Sequence, residues 1–492
     1  MSDLKKSAIS GVFWVMTERV TIQFVNFFVS IILARLLLPK DFGIVGIVVV
    51  FTSIAQVIID GGLANSLIRT KNPQPVDYSV VFLNNFVVSV FAYAILFFLA
   101  PTISRYFNLP QLSSLVRVLS LVLIIRAVSS IQITKLTVDM NFKKHFTIQL
   151  PSVLAGGIVG VIMAYRGYGV WSLAGSQLVG AFFLSTQLWI RSNWKPKLIF
   201  DKQVFKKHFL YGSNLMGAQM IKTLFENIFN FVVAKVYTPV ELGFYSRANA
   251  LKQIPVETFS VALSKVTFPL FSKLQDDVSR LRSAYSKITQ QVNYVTAPVF
   301  IFLIALAEPL FRFLFTEKWL PAVPYFRLLC IAGMIAPYNY YNVNILNARG
   351  KATLLFRLEF IKRVVLGCGI FIVYRYGMFA LIYLQTSYLF FAFLLNAIFA
   401  GKELQLSLWQ QVKPMIPILL CALFSGCVVW LLDSLHFIGS DFFRLLVYGS
   451  LFLFLFITIS LAFKIEAAKE SIKLIIAAIK KVRHKWGLQF SV

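Results

Sequence analysis

Long apolar runs dominate this chain, and short polar connectors separate them. A bilayer core of about 30 Å takes about 20 apolar residues per helix. By that measure the pattern predicts about fourteen spanning helices, at roughly 12–37, 43–67, 78–100, 114–134, 147–165, 169–190, 209–235, 243–271, 290–313, 323–346, 354–374, 378–399, 414–433 and 444–463. Glycine and proline punctuate many of the breaks. The run after Ser10 outlasts a signal-peptide core and carries Glu18 and Arg19, so it reads as the first span. Two shorter segments read differently. Ala100 to Leu112 suits a short interfacial helix, and the tail at 466–492 sets apolar and lysine faces at helical spacing, the pattern of a helix lying on an anionic membrane surface.

One turn is written twice. ARLLLPKDFG, Ala34 to Gly43, returns as AKVYTPVELG, Ala234 to Gly243, without a gap and at an offset of 200. Ala34 meets Ala234, Arg35 meets Lys235, Pro39 meets Pro239, Asp41 meets Glu241 and Gly43 meets Gly243. Proline ends the incoming helix, since it lacks an N–H and clashes with the preceding turn. The acidic residue then opens the outgoing helix, where the macrodipole favours it. A second echo pairs Tyr165–Gly169 with Tyr374–Gly377 at nearly the same offset. Spans one to six and seven to twelve therefore read as two parallel copies of one bundle, an arrangement in which secondary transporters hold substrate between halves. The expected organisation is an N-lobe at 1–200, a C-lobe at 201–402, two further spans at 403–465 and the tail at 466–492.

The spans are not uniformly apolar. In span one, Arg19, Gln23, Asn26 and Ser30 fall on one helical face, and in span seven Gln219, Lys222, Glu226 and Asn230 do the same. Three of these pairs coincide at the offset of 200: Arg19 with Gln219, Asn26 with Glu226 and Ser30 with Asn230. Thr52, Gln56 and Asp60 share a face of span two, and Thr52 corresponds to Lys252 in span eight, where Glu257 and Lys265 follow. Polar residues at membrane depth are costly and face the bundle interior. The expectation is a cationic cavity with Arg19, Lys222, Lys252 and Lys265 binding substrate, lined by Gln23, Asn26, Gln56, Gln219 and Asn230. Glu18, Asp60, Glu226 and Glu257 are the candidates for ion coupling or for balancing the cations. The plain alternative is that these groups satisfy one another, as Lys222 and Glu226 could at four residues apart.

Composition agrees with the pattern. The 492 residues are 58% hydrophobic with mean hydropathy +0.75, and 14% are charged, against roughly 25% in soluble domains. The fold class expected is an all-α polytopic membrane protein of about 14 transmembrane helices, with two pseudo-symmetric six-helix lobes and two C-terminal helices. The net charge of +28 would suggest nucleic acid in a soluble chain. Here most Lys and Arg fall in connectors on one side, which places both termini in the cytoplasm and accounts for the charge without nucleic acid. Phe-Lys-Lys-His-Phe occurs twice, at 142–146 and 205–209, just before a span on that side. It reads as a basic interfacial anchor, with a specific headgroup site as the alternative. The four cysteines, Cys330, Cys368, Cys421 and Cys427, lie in apolar stretches and show no pairing pattern. The four histidines show no metal spacing.

Several motifs carry a family resemblance: ARLLLPKDFG, GGLANSLIR at 61–69, YGVWSL at 168–173, WKPKLIFD at 194–201 and ELGFYSRANAL at 241–251. In this order they resemble the polysaccharide transporter branch of the MOP flippase superfamily, and more narrowly the Wzx-type lipopolysaccharide, colanic-acid and teichuronic-acid exporters, over roughly residues 5–465. The resemblance implies a V-shaped pair of six-helix lobes that moves undecaprenyl-diphosphate-linked oligosaccharide across the bacterial inner membrane by alternating access. It implies no enzyme activity and no cofactor, with Na+ or H+ as a coupling cation. The partners implied are the lipid-linked oligosaccharide, membrane lipids and the polysaccharide polymerase or export machinery. The alternatives are a multidrug-type small-molecule exporter of the same superfamily and a membrane-embedded glycan polymerase or glycosyltransferase.

Overall fold

The computed structural model describes the backbone of residues 2–192, 194–471 and 473, and the side chains of these except 2–10, 12, 261, 262, 264 and 265. Every regular element among the described residues is helical. The chain divides into two compact units, Met1–Ser246 and Arg247–Val492. Of the basic tail, residues 472 and 474–492 lie outside the described residues.

The first unit holds α1 (Ser2–Leu36), α2 (Pro39–Asp60), α3 (Leu63–Arg69), α4 (Pro75–Phe107), α5 (Gln111–Leu119), α6 (Leu121–Val138), α7 (Phe142–Tyr165), α8 (Val170–Arg191) and α9 (Lys202–Val236), with the start of α10 (Pro239–Lys273). Helix α7 packs on α1 and α8, α6 packs on α4 and α8, and α2 packs on α9. Helix α9, which the repeat assigns to the second half, is thus packed among helices of the first.

The repeated turns build the same helix start. Pro39 and Pro239 are the first residues of α2 and α10, where a missing N–H costs nothing and φ is already helical. The Leu38 N–H donates to Asp41 Oδ2 at 3.0 Å and the Thr238 N–H to Glu241 Oε2 at 3.3 Å, so each acid satisfies an orphan donor beside the positive helix end. The two turns also meet. A Cβ on Gly43 would lie 1.7 Å from the Pro239 carbonyl oxygen, and one on Gly243 would lie 1.9 Å from that of Pro39. Only glycine permits this approach of two backbones. The second echo is equally literal: Gly169 and Gly377 stand before α8 and before the later helix that begins at Met378, with φ of 55° and 100°.

The second unit holds the rest of α10, then α11 (Val278–Ala305), α12 (Ala307–Phe315), α13 (Val323–Ala348), α14 (Ala352–Val373), α15 (Met378–Leu404), α16 (Leu408–Val412), α17 (Ile416–Ser434) and α18 (Asp441–Ala462). Its core mixes aromatic packing with polar ties. The buried Tyr285 hydroxyl lies 2.7 Å from Asn342 Oδ1 and 2.8 Å from Gln411 Oε1. Lys362 of α14, 4% exposed, donates to Glu359 and to Asn396 of α15.

Among the described residues, eleven segments are long and apolar enough to cross a membrane. Helices α9, α10 and α14 stand where spans seven, eight and eleven are expected, yet fall outside that set. Charge explains this: α9 carries Lys222 and Glu226, α10 carries Arg247, Lys252 and Glu257, and α14 carries Arg357, Glu359, Lys362 and Arg363. The interfacial helix expected at Ala100 to Leu112 is not a separate element. Helix α4 continues through Pro101 to Phe107 and stops at Asn108, whose φ of 54° ends it in the left-handed conformation. The amphipathic piece is α5, which starts after Pro110.

Candidate functional site

Within the first unit, α2, α6, α8 and α9 enclose a cavity of about 830 Å³. That is the size of a site for a sizeable organic ligand. Helix α2 contributes Thr52, Gln56 and Asp60, the face its four-residue spacing predicts. Helix α9 contributes Gln219, Lys222, Thr223, Glu226 and Asn227. Helix α6 adds Arg126, α8 adds Gln177, and α3 adds Asn65.

The charges of the lining balance: Arg126 and Lys222 against Asp60 and Glu226. Lys222 Nζ stands 3.8 Å from Glu226 Oε1, with both side chains more than half exposed. Such a loose pair holds its members weakly. Gln56 Nε2 donates to Asp60 Oδ1 at 2.9 Å. Gln56 Oε1 is buried without a hydrogen-bond partner among the described residues, an acceptor that a ligand hydroxyl could satisfy. Gln219 Nε2 donates to Thr223 Oγ1 at 3.4 Å and Asn227 Nδ2 to the Thr223 carbonyl at 2.9 Å. The arrangement offers two cations, two carboxylates and several amides among the helices of the first unit.

The structure gathers part of the expected set here. Gln56, Asp60, Gln219, Lys222 and Glu226 line the cavity. Arg19 and Asn26 are exposed on α1, Gln23 and Asn230 are half-buried, and none of the four belongs to the lining. Glu18 instead accepts from His145 Nδ1 at 2.9 Å, tying α1 to α7. Lys252 and Glu257 belong to the second unit. Lys252 is 7% exposed, its Nζ lies 3.4 Å from Gln253 Oε1, and its aliphatic stem packs against Gly333. Glu257 is exposed. The Lys265 side chain lies outside the described residues.

Arg126, Asn65, Gln177 and Asn227 were not expected. Arg126 had a signal, because a lone arginine interrupts the apolar run Leu121–Ile125, and such a residue marks a functional position. The repeat sets Phe326 opposite it, so the offset of 200 gives Arg126 no polar echo.

Of the motifs, GGLANSLIR reaches this cavity, and the others tie helices within their own units. In GGLANSLIR, Gly61 caps α2 and Gly62 precedes α3, Asn65 reaches the cavity, and Arg69 lies over the Tyr211 ring at 4.5 Å. Ser66 joins a buried chain: its Oγ is 2.8 Å from His208 Nδ1, and His208 Nε2 is 2.9 Å from Asp77 Oδ1. In WKPKLIFD, Trp194 packs on Tyr78 and Phe82, and Asp201 caps α9 by accepting from the Gln203 and Val204 N–H groups. Arg247 of ELGFYSRANAL is buried over the rings of Phe315 and Trp319.

Comparison with known proteins supplies a context. The family described as "Polysaccharide biosynthesis protein" matches residues 32–324. The succinoglycan biosynthesis transport protein ExoT of Rhizobium meliloti (strain 1021) is 26% identical over 334 residues, 68% of this chain and 67% of that protein. The lipopolysaccharide biosynthesis protein WzxC of Escherichia coli (strain K12) is 24% identical over 376 residues, 74% of this chain and 76% of that protein. Among solved structures, the lipid II flippase MurJ in an inward closed conformation shares the fold, with TM-score 0.71 at 15% identity over 92% of this chain and 98% of that one.

Proposed function

We propose, for a chain that belongs to the polysaccharide biosynthesis protein family and shares its fold with a transporter of the MOP superfamily, that it carries an oligosaccharide linked to undecaprenyl diphosphate from the inner to the outer leaflet of a bacterial cytoplasmic membrane. It is a multi-pass membrane protein whose relatives include a succinoglycan biosynthesis transport protein and a lipopolysaccharide biosynthesis protein. The finer reading is alternating access between two six-helix lobes, with both termini cytoplasmic.

One observation carries it: a cavity of about 830 Å³ holding Arg126, Lys222, Asp60, Glu226 and several amides among apolar helices. Charges at membrane depth are expensive, so their convergence needs a polar cargo or water to justify it. A saccharide hydroxyl both donates and accepts. Carboxylates and the idle Gln56 Oε1 accept hydrogen bonds from its O–H, while amide N–H groups donate to its oxygen. Arg126 matches phosphate oxygens in bidentate geometry and Lys222 serves as a point charge. The polyprenyl chain stays in lipid. Asp60 and Glu226 are the carboxylates suited to a coupling cation, Na+ or H+.

The balanced lining means that cavity charge does not discriminate against an exporter of cationic small molecules. The family match over residues 32–324 favours the saccharide. The test is glycan export by a strain whose exporter gene is replaced with this one. Arg126→Gln with Lys222→Gln should lower export about tenfold or more, the equivalent of one lost hydrogen bond to a charged group, while the protein still inserts. Undiminished export by the double variant would overturn the assignment of these residues. Drug sensitivity without a glycan defect in the deletion strain would favour the small-molecule exporter.

A further inference from the structure

A second, smaller cavity of about 240 Å³ lies in the first unit at the basic ends of α6, α7 and α8. It falls below the range for a drug-sized ligand and is of a size for a headgroup. Its polar lining is Gln132, Lys135, Asp139, Asn141, Lys144, Arg191 and Ser192.

The charges here do not cancel. Lys135 pairs with Asp139 at 3.3 Å, which leaves Lys144 and Arg191. Lys144 Nζ donates to the Arg191 carbonyl at 2.7 Å, and Arg191 Nη1 to the Thr147 carbonyl at 3.5 Å. Neither has a carboxylate within 4.0 Å among the described residues. These backbone contacts hold both cations at the cavity without neutralising them. Asn141 Oδ1 accepts from the Lys144 N–H at 3.2 Å and so fixes the start of α7 at the cavity rim. Lys144 belongs to the first Phe-Lys-Lys-His-Phe segment, whose other members turn elsewhere: Lys143 over the Trp14 ring at 5.5 Å, His145 to Glu18 and Phe146 against Trp14. Aromatic residues at this level are those of a membrane interface.

We propose that this cavity binds the phosphate of an anionic membrane lipid, with Lys144 and Arg191 contacting the phosphate oxygens. Two such donors suit a phosphate, and Arg supplies the planar fork. A lipid is favoured over free phosphate because the cavity sits at the end of membrane-spanning helices beside an aromatic belt. The inference is independent of the transported cargo.

The experiment measures lipid binding to the purified full-length protein by native mass spectrometry, with phosphatidylglycerol, undecaprenyl phosphate, phosphatidylcholine and inorganic phosphate as probes. At least one of the two anionic lipids should bind over phosphatidylcholine. Lys144→Gln with Arg191→Gln should weaken that binding about tenfold or more, and Lys206→Gln should not. Asn141→Asp is the companion variant. It keeps the helix cap and adds a carboxylate at the rim, so it should weaken binding while melting with the wild type. Preference for phosphatidylglycerol would identify bulk lipid as the source, and preference for undecaprenyl phosphate would identify the carrier lipid. Binding unchanged in both variants would overturn the site. Inorganic phosphate bound as tightly as either lipid would overturn the lipid assignment. Loss of glycan export with lipid binding intact would bear on the transport cavity alone.

Discussion

The two Phe-Lys-Lys-His-Phe segments are identical for five residues and differ in what surrounds them. Each opens a helix, and each histidine reaches a carboxylate on another helix at 2.9 Å, His145 to Glu18 and His208 to Asp77. His208 has no exposed surface and a second partner in Ser66, while Asp77 also receives the Gln74 N–H at 2.7 Å and lies 3.6 Å from Lys207 Nζ. The His145 side chain keeps 22% of its surface exposed, and Lys144 beside it turns to the small cavity. One copy clasps α3, α4 and α9 together. The other makes a lighter tie and leaves a cation for a ligand. The repeated turns teach the converse. Ala34–Gly43 and Ala234–Gly243 share only alanine, proline and glycine, yet they build the same cap and touch each other backbone to backbone. Short sequence identity and structural equivalence are separate properties.

That contrast can be tested by thermal unfolding of the purified protein, from the largest effect down. His208→Ala leaves the Asp77 carboxylate buried without its main partner and should cost about 3–5 kcal/mol. Equal loss from His145→Ala would erase the distinction between the clasps. Gly43→Ala or Gly243→Ala forces a methyl into a carbonyl and should cost about 1–3 kcal/mol or more. Gly217→Ala, with open space at its Cβ, should be near neutral or slightly stabilising. A null result at Gly43 and Gly243 would mean that the two turns do not meet. His145→Ala should cost about 1 kcal/mol, the value of a partly exposed hydrogen bond. Arg69→Ala, which removes a guanidinium from the Tyr211 ring one turn beyond His208, should cost about 0.5–1 kcal/mol.

Much of the cavity was legible before the fold. The spacing of Thr52, Gln56 and Asp60, and of Gln219, Lys222 and Glu226, put each set on one face of its helix, and those faces do meet. The stripe of α1 did not follow, because a face says nothing of which neighbour it turns towards. Arg126 and Gln177 entered through helix rotations that no spacing within α6 or α8 specifies. Asp77, Ser66 and His208 are polar residues that could each have stood in water, and only their meeting buries them.

What could be read along the chain was local. Apolar length sets where helices can cross a membrane, proline and glycine set where they stop and start, and acids after proline set the caps, all within a turn or two of the residues concerned. The membership of the large cavity, the burial of His208 and the exposure of His145 were settled by helix packing. They depend on the height and rotation at which helices more than a hundred residues apart pass one another, and those quantities are properties of the whole bundle.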